Sequence, residues 1–68
     1  MLLENRTALV TGAAGRLGRA MSEVFLREGA AVAMADLDGR RVARAAEELG
    51  ASYPGKVAWI AGDQSVKE

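Results

Sequence analysis

Hydrophobic and polar positions along this chain follow two rhythms. Thr7-Ala8-Leu9-Val10 is a short apolar run that stops at Thr11-Gly12, which predicts a buried strand. From Arg16 the period lengthens. Leu17, Ala20, Met21, Val24 and Phe25 recur at helical spacing, and Arg19, Glu23, Arg27 and Glu28 take the opposite face. Gly29 is the expected stop of that helix. Ala30 to Ala35 is a second continuous apolar run, closed by Asp36. A second helix is predicted over Gly39 to Leu49, capped by Asp38, with Val42, Ala46 and Leu49 as its buried stripe and Gly50 as its end. The Pro-Gly pair makes residues 51–56 a loop, and Val57 to Ala61 reads as a third strand. Gly62-Asp63 then turns out toward a further helical start at Gln64.

Strand, helix, strand, helix, strand with short connections forces parallel pairing, and right-handed crossovers order the strands 3-2-1. The predicted fold class is α/β: a three-stranded parallel sheet in βαβαβ arrangement, half of a doubly wound fold of Rossmann type. Both crossovers run the same way, so both helices fall on one face of the sheet. The strands are nonetheless apolar on both sides, and neither proline nor charge protects the edge within Ala8 to Val10. A homo-oligomer formed through the uncovered sheet face or the first-strand edge is the expected consequence.

Composition narrows the chemistry. The 68 residues make one domain at most. Nine basic and nine acidic side chains cancel, so no general attraction to nucleic acid or to anionic membranes is expected. With no cysteine and no histidine, the chain lacks disulfides, thiolate chemistry, Ser-His or Cys-His relays and ordinary zinc sites. No Gly-Lys-Ser/Thr is present, which excludes a P-loop. Met1-Leu2-Leu3 meets Glu4 and Arg6 at once, unlike a signal peptide, and no apolar run approaches a membrane span. A soluble, cytoplasmic location is expected.

The candidate chemistry lies in Val10-Thr11-Gly12-Ala13-Ala14-Gly15-Arg16-Leu17-Gly18, where three glycines stand three apart between a strand and a helix. A helix N-terminus presents unpaired N–H groups and partial positive charge, so it binds anions. Glycines let the chain turn sharply and let a pyrophosphate approach the backbone. Gly12 would make the turn, Gly15 allow the approach and Gly18 pack the helix on the sheet. Asp36, eighteen residues after Gly18, falls where an acid that binds an adenosine ribose is expected. The plainer alternative is ordinary turn glycines and an aspartate that closes a strand.

These residues resemble the short-chain dehydrogenase/reductase family. Thr11-Gly12-Ala13-Ala14-Gly15-Arg16-Leu17-Gly18 is similar to its T-G-x-x-x-G-x-G turn, and Asp36-Leu37-Asp38 to its acidic stop after strand two. Gly62-Asp63-Gln64 is similar to its adenine-contacting acid after strand three. Arg16 departs from the pattern, standing where the main branch has its middle glycine. The G-x-x-G-x-x-G spacing is that of the extended branch, so both branches stay open.

The resemblance implies NAD or NADP as cofactor, held by Gly12, Gly15, Arg16, Leu17, Gly18, Asp36, Leu37, Asp63 and Gln64. Asp36 favours NAD, because its carboxylate accepts ribose hydroxyls and repels a 2′-phosphate, and Leu37 offers that phosphate no cation. Arg16, Arg40 and Arg41 could reach the same region, although a solvated helix face accounts better for Arg40 and Arg41.

The family's Asn-Asn-Ala-Gly stretch, catalytic serine and Tyr-x-x-x-Lys pair have no counterpart here. Tyr53 and Lys56 are one residue too close, and Pro54-Gly55 interrupts them. The expectation is a truncated dinucleotide-binding domain over 1–68, without its catalytic half and unable to transfer hydride alone. Two alternatives stand beside it: a self-associating structural fragment without useful cofactor affinity, and a fragment with weak hydrolytic activity from Asp36, Asp38 and Asp63.

Overall fold

The computed structural model describes residues 3–62. Five elements follow in order: β1 (Thr7–Thr11), α1 (Arg16–Arg27), β2 (Ala31–Asp36), α2 (Gly39–Ser52) and β3 (Val57–Ala61). They form the parallel three-stranded sheet that the sequence predicts, with β2 in the centre. Thr11 pairs with Ala35, and Ala35 with Ile60, so the three strands end level with one another. The predicted helical start at Gln64 lies outside the described residues, as do Asp63 and Gln64 as site residues.

One face of the sheet carries the core. Val10, Val32 and Met34 pack with Leu26 of α1 and with Val42, Ala45, Ala46 and Leu49 of α2. Met34, at the middle of the central strand, is the largest side chain shut wholly from solvent. Alternation along the strands sends Leu9, Ala33 and Ala58 to the opposite face, where they lie in one row across the sheet. There Leu9 is 63% exposed, and Ile60 in the next row is 48% exposed.

α1 buries a different stripe from the predicted one. Its buried residues are Gly18, Ser22 and Leu26, whereas Leu17, Met21 and Val24 are exposed. The cause is close approach. A Cβ on Gly18 would stand 2.4 Å from the Gly12 carbonyl oxygen, so the row through Gly18 and Ser22 turns inward at this end and runs on to Leu26, with Phe25 of the predicted stripe partly buried against the core. The Ser22 hydroxyl in that row donates to the Gly18 carbonyl at 2.9 Å, which satisfies it without a tertiary partner.

α2 also runs further than predicted, through Gly50 to Ser52. Tyr53 N–H still donates to Leu49 O at 2.9 Å, so the glycine does not break the ladder. Pro54 does, because the residue before a proline avoids helical dihedrals, and Tyr53 sits at φ −131°, ψ 69°. An ion pair between Arg19 of α1 and Glu48 of α2 ties the two helices together on the solvent side.

Candidate functional site

The site assembles at the carboxyl ends of the strands. β1 leaves the sheet through Gly12, whose φ of +62° is left-handed and suits glycine. Gly15 N–H closes the turn on Gly12 O at 3.1 Å, and Ala13 N–H pins its base to Ala35 O at 2.9 Å. Gly15 is the N-cap of α1 at φ −77°, ψ 166°, and no side chain caps the helix there. The first bond of the helical ladder is Arg19 N–H to Gly15 O, so the N–H groups of Arg16, Leu17 and Gly18 lie ahead of it.

The three glycines therefore differ in kind. Gly12 is set by its dihedral and Gly18 by contact with the turn. Gly15 is required by neither: its φ suits any residue, and a Cβ there would meet Gly12 O at 3.4 Å, an ordinary contact.

Asp36, the last residue of β2, reaches this turn. Its Oδ2 accepts the Ala14 N–H at 2.9 Å and its Oδ1 accepts the Asp38 N–H at 3.0 Å. The N–H bonds from Asp38 and Ala14 hold its carboxyl below the usual aspartate value, against a smaller opposing effect of desolvation, and the Arg41 charge adds to the lowering. Asp38 caps α2 as predicted, its Oδ1 accepting from Arg41 N–H at 3.1 Å. Gly62 N–H donates to Asp36 O at 3.1 Å, so the end of β3 meets the same corner. Arg16, Leu17 and Leu37 are exposed around the turn.

Arg41, set by the sequence on the solvated face of α2 in preference to the site, is exposed there and also reaches the turn. Its guanidinium Nη2 donates to Ala14 O at 3.3 Å, across 27 positions of sequence, and so belongs to the site as well as to the exposed face of α2. The signal was available. Arg41 is the third residue after the cap of α2, and side chains in a first helical turn lean back toward the strand ends.

Asp36 and Asp38 are the two described members of the predicted carboxylate cluster; Asp63 lies outside the described residues. Their carboxylates are each occupied with backbone N–H donors, and no group of three or more acids, histidines or cysteines suited to a metal occurs among the described residues. Tyr53 and Lys56 are not stacked on a helix: Tyr53 ends α2, and Lys56 N–H turns back on Tyr53 O at 3.1 Å.

The arrangement fits a dinucleotide on its own geometry. It offers an uncapped helix N-terminus for phosphates and, one strand away, a carboxylate fixed by two N–H donors for ribose hydroxyls.

Comparison with known proteins agrees. The short chain dehydrogenase pattern matches residues 6–68. A short chain dehydrogenase/reductase of Macrophomina phaseolina, dpmpG, is 46% identical over 55 residues, which make 81% of this chain and 31% of that protein. A short chain dehydrogenase/reductase of Burkholderia phymatum, solved in complex with NAD, superposes with a TM-score of 0.83 at 28% identity, over 93% of this chain and 22% of its own. The N-domain of a bacterial malonyl-CoA reductase, solved with NADP, gives 0.78 at 39% identity, over 87% of this chain and 11% of its own. The chain thus spans less than a third of the length of these relatives.

Proposed function

Because this chain belongs to the short chain dehydrogenase family, we propose that residues 1–68 form the dinucleotide-binding part of an oxidoreductase, with NAD preferred to NADP. A bound nicotinamide would supply the capacity to take or give a hydride. The chain's own residues hold the other end. The N–H groups at the start of α1 receive the pyrophosphate, and Gly15 leaves the backbone bare for it to approach. The Asp36 carboxylate accepts the adenosine ribose hydroxyls and repels a 2′-phosphate. Asp63 and Gln64 are assigned to the adenine on the family resemblance alone.

The observation that carries this reading is the 2.9 Å bond from Ala14 N–H to Asp36 Oδ2, which joins the phosphate turn and the ribose acid into one site. Gly15 adds support, being a glycine that the fold itself does not require. Titration of wild type and Asp36→Ala with NAD tests it: the variant should bind at least tenfold more weakly, and equal affinity would refute the ribose assignment.

Hydride transfer is not assigned to these residues alone, since no serine or Tyr-x-x-x-Lys pair of the family pattern stands among them. For the isolated 68-residue chain we propose self-association as well, with a second copy covering the bare sheet face or pairing along β1. The exposure of Leu9 and Ile60 on that face supports it. No helix among the described residues is long and apolar enough to cross a membrane, and a cytoplasmic location remains part of the proposal.

A further inference from the structure

Ala14 is held from both sides, by the last residue of β2 and by the first turn of α2. Its N–H donates to Asp36 Oδ2 at 2.9 Å and its carbonyl oxygen accepts from Arg41 Nη2 at 3.3 Å. Each peptide unit is planar, so these two bonds fix two successive planes: the 13–14 unit through its N–H and the 14–15 unit through its C=O. Together they set both dihedrals of Ala14. The 14–15 plane also carries the Gly15 N–H, which closes the turn on Gly12 O at 3.1 Å. The next plane carries the Arg16 N–H, the first donor at the helix N-terminus.

We infer that Arg41 is a positioning residue of the dinucleotide site: by gripping Ala14 O it holds the glycine turn in the conformation that aims the helix N-terminus at a pyrophosphate. This deepens the proposed function and rests on it. Asp36 serves the same clamp but is also assigned to the ribose, so its substitution mixes two effects. Arg41 isolates the clamp. It lies on the exposed side of α2, where the core residues Val42, Ala45, Ala46 and Leu49 do not depend on it. Its other plausible role, pairing with the 2′-phosphate of NADP, predicts a different pattern of loss.

The test uses Arg41→Ala and Arg41→Lys in the 68-residue chain, with two readouts. The first is amide hydrogen exchange of the ligand-free protein. Arg41→Ala should speed exchange at Ala14 and Gly15 several-fold while leaving Val42 to Leu49 unchanged, and Arg41→Lys, which can still donate to Ala14 O, should restore part of the protection. The second is calorimetric titration with NAD and with NADP. Arg41→Ala should weaken both by about fivefold, the effect of one modest hydrogen bond. Loss confined to NADP, with NAD affinity and exchange unchanged, would overturn the clamp in favour of a phosphate contact. Unchanged exchange at Ala14 and Gly15 would overturn it outright. If wild type binds neither dinucleotide, the functional reading fails, and the exchange measurement still decides whether Arg41 holds the turn.

Discussion

Gly18 lies directly against the turn that Gly12 begins: a Cβ on Gly18 would stand 2.4 Å from the Gly12 carbonyl oxygen and 2.9 Å from Ala13 Cα. Both atoms are backbone, so neither can swing aside. Gly18→Ala must lift α1 off the sheet or reshape the turn, at a cost of about 3 kcal/mol. A domain of this length holds about 5 kcal/mol in all, so the variant should keep about 2 kcal/mol and melt roughly 12–24 °C below wild type. Thermal denaturation followed by circular dichroism checks it.

Gly12→Ala should do less harm. Nothing lies within 4 Å of the added Cβ, and the cost is the left-handed φ of +62° alone, about 1–2 kcal/mol. Chemical denaturation should therefore rank wild type above Gly12→Ala and Gly12→Ala above Gly18→Ala.

Gly15→Ala separates folding from binding. Its dihedrals suit alanine and its Cβ would make only an ordinary contact, so stability should stay within about 0.5 kcal/mol of wild type. NAD affinity should nonetheless fall by about tenfold or more, because the methyl group occupies the path of the pyrophosphate. A variant that is stable and binds normally would show that Gly15 has no part in ligand approach.

Much of this was legible in the residues, for reasons that are local. Apolar runs closed by Gly12, Asp36 and Gly62 set the three strands, and Asp38 announced the cap of α2. What the sequence hid was proximity. Helical spacing marked Leu17, Met21 and Val24 as a buried stripe, yet α1 approaches the sheet through Gly18 and Ser22 because the turn lies against it. Periodicity records which residues share a face, and backbone contact decides which face is inward. Gly50 gave a false stop for the same kind of reason: a glycine ends a helix only where the chain turns left-handed, and here Pro54 sets the end. The Asp36–Ala14–Arg41 arrangement spans 22 and 27 positions of sequence: the first-turn place of Arg41 aims it at the strand ends, but its partner there is set by tertiary proximity alone.

The Asp36 carboxyl gives a pH dependence of definite sign. Its folded pKa is lowered by the N–H bonds from Asp38 and Ala14, so it contributes stability above its unfolded value, near pH 4. That contribution is lost as pH falls through the lower folded value. Acid titration should show wild type losing stability below about pH 4 by an increment that Asp36→Asn lacks.

The bare sheet face predicts concentration-dependent mass. Leu9 and Ile60 stand exposed on it, so sedimentation of the 68-residue chain at micromolar concentration should show dimers or larger species. Leu9→Lys with Ile60→Lys should shift the mass to monomer without loss of helix. A wild-type monomer would contradict the proposed self-association.

The most direct test of the central claim is a calorimetric titration of the purified chain with NAD, NADP and AMP. NAD and AMP should bind with similar affinity, since both present the adenosine ribose to Asp36, and NADP should bind more weakly. Absence of binding by a chain shown to be folded would contradict the account, leaving the glycine turn as architecture without a ligand.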